Sequence, residues 1–420
     1  MQNVLAPTLE RADFLDWYRR NRARSARLFD MIDPLAYTSR PIPLRHPVVF
    51  YEGHLPAFSF ITLARNALGM PSIDARLEKL FARGIDPADE RAAQAQSINV
   101  WPTRDEVLAF GRDCDRAVIA GLQRARDAGP RSLPFAAAYT ILEHEQMHHE
   151  TLLYIFHRIP LHLKKKPAGR DAPADGVAPR NERILVAAGS ATLGAGRDSI
   201  PFGWDNEFPE QRVWVEAFSM DAHSVTNADY LAFVEAGGPA PPFWVNRDGR
   251  WHVTAMFDEV PLPRGWPAYV TLEQAQAYAA WKGARLPSEA EFHRAAYGTP
   301  WGEERAQPWG SDDPAKAHGN FDFERWDPQP AGSYPMGASA WGIFDLVGNG
   351  WEWTASPFRP FPGFAPMPTY PQYSADFFDE QHFVVKGASA VTARELIRRS
   401  FRNWYRAGYP YIYAKFRCVA

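Results

Sequence analysis

Two histidines one helical turn apart are the residues most able to do chemistry in this sequence. They lie in the run "ILEHEQMHHETLLY", residues 141–154, where His144 and His148 are separated by three residues. On a helix this spacing places both imidazoles on one face. The pattern also reads as H-E-x-x-H, in which Glu145 would be the general base of a zinc metalloprotease. The same pair could equally hold another metal for different chemistry.

The face that carries the two histidines is otherwise apolar, so the pair is predicted to point into a protein core. Two neutral imidazoles buried together would each need a hydrogen-bond partner, and a shared metal ion would satisfy both. The spacing and the burial therefore predict metal ligation. The apolar residues that share this face are Ala137, Ile141, Leu152 and Ile155.

His54, in "FYEGHLPAFSF", is the best candidate for a third ligand. On a helix it shares a face with Phe50, Phe58 and Ile61, so it is also expected to point inward. Helical bundles assemble metal sites from such inward-facing side chains. His149 and His157 fall off the face of the pair and are interpreted as surface or capping residues.

Three imidazoles can bind Zn²⁺ or Fe(II), and the residue types alone do not choose between them. A protease of the H-E-x-x-H type needs a third ligand downstream of the motif. Here the segment after His148 stops at Pro160 without a Gly-turn-His. Only a linker and a loop-rich region follow, which disfavours the protease hypothesis.

Four helices must position these histidines. Apolar periodicity predicts them at about residues 8–32, at about 47–68 with Pro56 as a kink, after Thr103, and at about 134–157. Thr103 with Glu106 forms a capping-box pattern. Helices of this length favour an antiparallel four-helix bundle. Cys114 lies on the apolar seam of the third helix and is predicted to be buried.

The composition and the apolar periodicity of the sequence change after the predicted bundle. Residues 164–183 are rich in Pro, Gly, Ala and charge, which is typical of a linker. From 184 onward short apolar pieces alternate with turn residues, and helices are predicted only at about 227–235, 271–282 and after Ser288, where Glu291 completes a capping pattern. We therefore predict an α+β protein with domains at 1–163 and 184–420.

Composition narrows the class of function. The chain has 420 residues and a formal net charge of −3, which gives no reason to expect nucleic acid or an anionic membrane as partner. Two cysteines offer no disulfide framework, and Cys418 is predicted to be buried. No signal peptide or apolar run of about 18 residues is visible, so we expect a cytoplasmic protein.

Several motifs together resemble one family. "GHLPAFSF", "HEQMHHETLLY", "RLPSEAEFHRAAYG", "GIFDLVGNGWEWT" and "RRSFRNWYRAG" with "FRCV" are similar to the ergothioneine-pathway sulfoxide synthases. These enzymes join a DinB-like four-helix bundle to an irregular α+β domain that is formylglycine-generating-enzyme-like and C-type-lectin-like. The resemblance covers nearly the whole chain, although each motif alone would be less specific.

The resemblance implies an activity and a set of site residues. By analogy with the family, His54, His144 and His148 hold a non-haem Fe(II), and hercynine, the trimethylated betaine of histidine, is bonded at its imidazole C2 in an O2-dependent reaction. Asn403 and Trp404 match the family's hercynine-contacting dipeptide, in which an indole suits a quaternary ammonium group. Neither a general acid or base nor the oligomeric state follows from the sequence.

Departures from the family pattern bear on the second substrate, the donor that supplies sulfur or selenium to hercynine. Met147 replaces the usual glutamine before the second ligand histidine of the pair, and Tyr405 stands where an acid meets the ammonium group of γ-glutamylcysteine. Phe361 and Phe364 lie where we would look for the redox-assisting tyrosine. A pocket without the acid suits a selenosugar, so the sequence favours the selenoneine synthase branch. The alternative is a sulfoxide synthase that uses cysteine or γ-glutamylcysteine.

Two further hypotheses come from other functional classes. Sulfatase activation by a formylglycine-generating enzyme requires a closely spaced cysteine pair, and the predicted C-terminal domain has one cysteine. That activity is excluded. A non-catalytic protein, in which the metal only stabilises the bundle, stays open as a second alternative.

Overall fold

The computed structural model describes residues 13–82, 100–168 and 175–420. Among these residues the chain divides into two compact units. The helical unit contains residues 13–82 and 100–168 together with Pro368–Tyr370, and the mixed unit contains 175–367 and 371–420. The architecture confirms the predicted α+β class, with helices first and a sheet-containing region after them. The predicted domain limits at 163 and 184 stay a prediction.

The helical unit is built from long helices whose ends are fixed by polar caps. Asp13, Thr103 and Ser132 each accept a backbone N–H of the helix that follows. These bonds satisfy donors that have no partner inside the helix. The helices are α1 Phe14–Asp30, α2 Val48–Ser59, α3 Ala75–Phe81, α4 Arg104–Asp127 and α5 Leu133–His157.

The second predicted helix continues as a π-helix. Residues Phe60–Ala67 follow α2 directly, and Pro56 lies inside α2 four residues before the change. Proline supplies no N–H, so one hydrogen bond of the helix is missing at that position. Short π segments are frequent at functional sites. The short helix α3 was not predicted, so the unit has more than the four expected helices.

The mixed unit contains several small sheets. The largest sheet has the order β10-β9-β8-β11 and is formed by β8 Gly350–Pro357, β9 His382–Ala388, β10 Asn403–Arg406 and β11 Ala414–Lys415. Its strands β8, β9 and β10 are antiparallel, and β11 is parallel to β8. The others pair as β1-β4, β2-β3 and β5-β6-β7. These strands are β1 Arg183–Val186, β2 Gly189–Leu193, β3 Gln211–Val215, β4 Phe218–Asp221, β5 Trp244–Arg247, β6 Arg250–Thr254 and β7 Glu259–Pro261.

Three helices complete this unit, close to the predicted positions. They are α6 Asn227–Glu235, α7 Leu272–Trp281 and α8 Glu289–Tyr297. The capping box predicted from Ser288 and Glu291 is confirmed, because each side chain binds the backbone N–H of the other residue. Helix α8 packs with β2 and β3 around a buried apolar cluster that includes Phe292 and Met220.

Both cysteines are buried, as predicted. Cys114 is fully buried in α4, and Cys418 is 2% exposed near the end of the chain. Across the described segments, no helix combines the length and hydropathy needed to cross a membrane.

Candidate metal centre

Helices α2 and α5 bring three imidazoles together inside the helical unit. His54 comes from α2, and His144 and His148 come from α5. One ring nitrogen of each lies within 4.8 Å of those of the other two. The ring centroids are 5.2 Å apart for His54 and His144, 5.0 Å for His54 and His148, and 4.4 Å for the α5 pair. This is a group able to hold a metal ion.

Buried nitrogens without hydrogen-bond partners fit a metal at this position. His54 Nε2, His144 Nδ1 and His148 Nδ1 are each buried and have no partner. An unpaired buried polar group is costly, and native structures rarely tolerate three such atoms in one place. A metal ion would satisfy the cluster, so the residues fit the cofactor that the resemblance implies.

The protonation states of the three imidazoles also suit metal ligation. Burial lowers the pKa of His54 to about 4, although its hydrogen bond to the Phe81 carbonyl opposes the shift. Burial also lowers the pKa of His144 and His148 well below the usual value, and the neighbouring histidines lower it further. The rings are therefore neutral near pH 7, and neutral imidazole is the form that binds metals.

Glu145, the second residue of the H-E-x-x-H pattern, is used to hold helices together. Its carboxylate accepts hydrogen bonds from Arg22 Nη1 at 2.9 Å and from Ser25 Oγ at 2.6 Å, both on α1. Ser25 Oγ is in turn 2.8 Å from His149 Nε2. The interpretation of His149 as a surface or capping residue was wrong, because it is fully buried. His157, the last residue of α5, is 8% exposed.

A short segment from later in the chain also belongs to the helical unit and reaches the histidine cluster. Tyr370 lies 6.3 Å from His144 and 5.4 Å from Phe58 between ring centroids. Thr369 Oγ1 is 2.9 Å from Thr140 Oγ1. Phe58 itself stacks on His144 at 3.5 Å with an interplanar angle of 11°. Sequence reasoning missed Tyr370, since no local pattern links it to a helix more than 200 residues earlier.

Met147 precedes His148 on α5 and is half-buried. Its carbonyl accepts a hydrogen bond from Thr151 Oγ1 at 3.2 Å. The position next to the histidine cluster keeps Met147 a candidate for a contact with the substrate.

The predicted substrate dipeptide lies on β10 of the mixed unit. Trp404 stacks on Phe358 at 4.1 Å, with Tyr373 and Phe377 at 5.2 and 5.5 Å between ring centroids. Asn403 Oδ1 accepts the backbone N–H of Trp404 at 2.9 Å. Trp404 is therefore part of an aromatic cluster and stays partly exposed.

The other predicted substrate residues of the mixed unit have separate neighbours. Tyr405 stacks on Tyr409 at 5.7 Å, while Phe364 packs edge-on against Phe378 at 5.1 Å. Phe361 is buried, and the guanidinium of Arg402 lies over its ring at 4.2 Å. These three assignments stay predictions.

Two family models match this chain, one in each half. Residues 18–152 match the DinB superfamily, and residues 169–420 match the sulfatase-modifying factor enzyme 1-like domain. The sequence is 32% identical to hercynine oxygenase of Mycolicibacterium smegmatis, with 91% of this chain and 92% of that protein covered. It is 33% identical to hercynine oxygenase of Mycobacterium tuberculosis, with 92% and 93% covered.

A fungal relative matches a similar share of this chain. Ergothioneine biosynthesis protein 1 of Neurospora crassa is 29% identical over 90% of this chain and 54% of its own length. These similarities confirm the resemblance that the motifs predicted. The chain belongs to the ergothioneine-pathway family that includes the hercynine oxygenases.

Proposed function

We propose that this protein is a non-haem iron enzyme that uses O2 to join a thiol to the imidazole C2 of hercynine, giving a sulfoxide. The observation that carries the proposal is the cluster of His54, His144 and His148, whose unpartnered nitrogens fit a metal ion. Membership of the hercynine oxygenase family supports hercynine as the substrate.

The proposed reaction balances without a further reductant. Hercynine loses the C2 hydrogen and the thiol loses its S–H hydrogen as the C–S bond forms. One oxygen atom of O2 enters the sulfoxide, and the other leaves as water with the two hydrogens. A bound iron would supply one-electron chemistry with O2 and open positions for both substrates.

The chain itself would contribute neutral ligands and a fixed geometry. Three uncharged imidazoles would not offset the positive charge of the metal. The metal would therefore attract the negatively charged thiolate of the donor. Trp404 and its aromatic neighbours form a surface suited to the trimethylammonium group of hercynine. The amide of Asn403 can hydrogen-bond the polar groups of the substrate.

The donor is proposed to be cysteine or γ-glutamylcysteine. The relatives described above are named for hercynine and ergothioneine, which supports a sulfur donor over the selenosugar that the sequence favoured. A selenosugar is retained as the second candidate because of two departures from the family pattern. Tyr405, stacked on Tyr409, stands where an acid is expected for an amino-acid donor, and Met147 replaces a polar residue beside His148.

One experiment tests both the activity and the donor. The purified chain would be assayed for iron content and for O2 consumption with hercynine and each donor, and the products would be read by mass. The donors are cysteine, γ-glutamylcysteine, a selenosugar and its thio analogue. We expect one iron per chain and a sulfoxide product that needs both hercynine and a thiol. A product formed only with the selenosugar would overturn the thiol assignment.

A pair of variants tests the metal cluster. His144→Ala should lose iron and turnover while the fold remains, because a bundle core rarely depends on one ligand. His162→Ala, which changes an exposed histidine of the same unit, should retain both. Full turnover by His144→Ala would refute the proposed site, and tightly bound zinc with no turnover in the wild type would favour a non-catalytic metal protein.

A further inference from the structure

We propose that Phe81 and Gly53 position the imidazole of His54 for metal binding, and that they do so through the backbone carbonyl of Phe81. This inference rests on the metal-binding role proposed for the histidine cluster. His54 Nδ1 lies 2.8 Å from the Phe81 carbonyl oxygen. A carbonyl can only accept a hydrogen bond, so His54 carries its proton on Nδ1. The lone pair is therefore on Nε2, the nitrogen that has no partner.

The Phe81 carbonyl is available because helix α3 ends there. Phe81 is the last residue of α3, and the final carbonyls of a helix have no partner within it. His54 thus uses an acceptor that the helix leaves free. A hydrogen bond to the second nitrogen of a ligand histidine fixes both its tautomer and the orientation of its ring.

The absence of a side chain at Gly53 allows this approach. A Cβ atom at Gly53 would lie 2.5 Å from the Cε1 and Cζ atoms of Phe81. The Phe81 ring therefore occupies the space that any other residue at position 53 would need. The ring is fully buried, with the Phe110 ring 6.1 Å away and the Phe50 ring 6.2 Å away between centroids. This packing restricts the movement of Phe81 and therefore of its backbone carbonyl.

Helix α3 is itself attached firmly to the rest of the unit. Asp74 caps its first turn by accepting the N–H groups of Arg76 and Leu77. The buried Glu78 carboxylate accepts Ser72 Oγ at 2.7 Å and the N–H of Ile73 at 2.8 Å. It also forms an ion pair with Arg65 of the π-helix. These bonds make α3 a stable support for the carbonyl.

Adding a methyl group at Gly53 should therefore weaken metal binding without touching a ligand. In Gly53→Ala the Phe81 ring must move away from the new Cβ. Because Phe50 and Phe110 pack against that ring, we expect the whole residue, including its carbonyl, to shift. Loss of such a supporting hydrogen bond typically costs about 10- to 100-fold in metal affinity. The replacement should also release His54 to adopt the other tautomer.

A second substitution should restore the site. Phe81→Leu keeps the backbone carbonyl but removes the ring atoms that meet the added methyl group. The double variant Gly53→Ala/Phe81→Leu should therefore recover most of the wild-type affinity. Gly111→Ala is the matched control, because a Cβ at this glycine of α4 would lie 3.5 Å from Pro56 Cγ, an ordinary contact.

The experiment compares Co²⁺ and Zn²⁺ affinity of the full metal-free chains by competition with a chelator. Thermal unfolding of the same metal-free samples monitors the fold. The expected order is wild type equal to Gly111→Ala, the double variant close to both, and Gly53→Ala about 10- to 100-fold weaker. Gly53→Ala affinity within twofold of wild type would overturn the inference. Failure of the folded double variant to recover affinity would also overturn it.

A measurement without metal separates this inference from the proposed function. Selective ¹⁵N-histidine labelling of the metal-free chain reports which nitrogen of His54 carries the proton. Nδ1–H in the wild type, with Nε2–H populated in Gly53→Ala, would support the positioning role even if no metal were bound. Nε2–H in the wild type would refute it, whatever the outcome of the activity assay.

Discussion

Replacing Glu145 by glutamine tests whether the glutamate of the H-E-x-x-H pattern serves the fold or the chemistry. Glu145 is fully buried, and its carboxylate binds Arg22 and Ser25 of α1. Burial raises the pKa of Glu145, while the charge of Arg22 opposes that shift. Glutamine has nearly the same shape but carries no charge. The substitution therefore removes the anion that faces Arg22.

The expected effect is a loss of stability. Removing one partner of a buried ion pair costs about 3–5 kcal/mol when the remaining charge is left unpaired. Arg22 is 22% exposed and keeps Asp115, 3.0 Å from its Nε. Because Arg22 keeps this second partner, a smaller loss of stability than that range, about 2–3 kcal/mol, is expected. For a unit of this size that corresponds to a fall of roughly 5–10 °C in Tm.

The assay is thermal unfolding of the full chain, with hydrogen exchange measured on α5 to assign the transition to the helical unit. Iron content and turnover would be measured well below the transition. Both should be retained, because Glu145 does not reach the metal cluster. Glu106→Gln is the control. Glu106 is partly exposed and pairs with Arg76, so the change should be within about 0.5 kcal/mol.

One result would refute this reasoning. If Glu145→Gln were as stable as the wild type and still bound iron, yet lost turnover, Glu145 would be acting as an acid or base. A result of that kind would give Glu145 the catalytic role that its contacts with Arg22 and Ser25 argue against.

Three further outcomes are expected. Trp404→Ala should raise the KM for hercynine roughly 5- to 30-fold and leave the KM for the donor unchanged, since a desolvated cation–π contact is worth about 1–2 kcal/mol; an equal change in both would count against the assignment. Burial would raise the pKa of Glu352, but the charge of Arg417 lowers that pKa below its usual value. The ionised Glu352 therefore stabilises the fold above about pH 4.5, and this stabilisation is lost as the pH falls through the pKa of Glu352 in the folded protein. Acid titration should then show Glu352→Gln losing less stability below pH 4.5 than the wild type. Burial raises the pKa of Cys114 and raises that of Cys418 to about 12, so neither thiol should react with a disulfide reagent at pH 8 until guanidinium unfolds the chain; rapid labelling of the native protein would contradict this.

Local signals in the sequence predicted the helices well. The Thr103 cap, the Ser288–Glu291 capping box and helix α6 at Asn227–Glu235 occur where the pattern placed them. These features depend on residues within one or two turns of each other. The α+β class followed from the same local periodicities, and the structure confirms it.

Features that depend on distant residues could not be predicted. The approach of Tyr370 to His144 joins positions more than 200 residues apart, and the burial of His149 depends on Ser25 of another helix. The π-helix at Phe60–Ala67 changes the angular spacing of residues after Ser59, so a helical wheel drawn through the whole segment misplaces its second half. Tertiary packing decides the positions of Tyr370 and His149.

The membership of Pro368–Tyr370 in the helical unit has a consequence for exchanging parts between relatives. A chain cut at residue 168 would contain every helix of the bundle but not Tyr370, which lies beside His144. A chimera joined at the linker would likewise combine the helices of one parent protein with the segment Pro368–Tyr370 of the other. An exchange of the helices between relatives therefore transfers the histidine cluster with Tyr370 only if the segment Pro368–Tyr370 is exchanged as well.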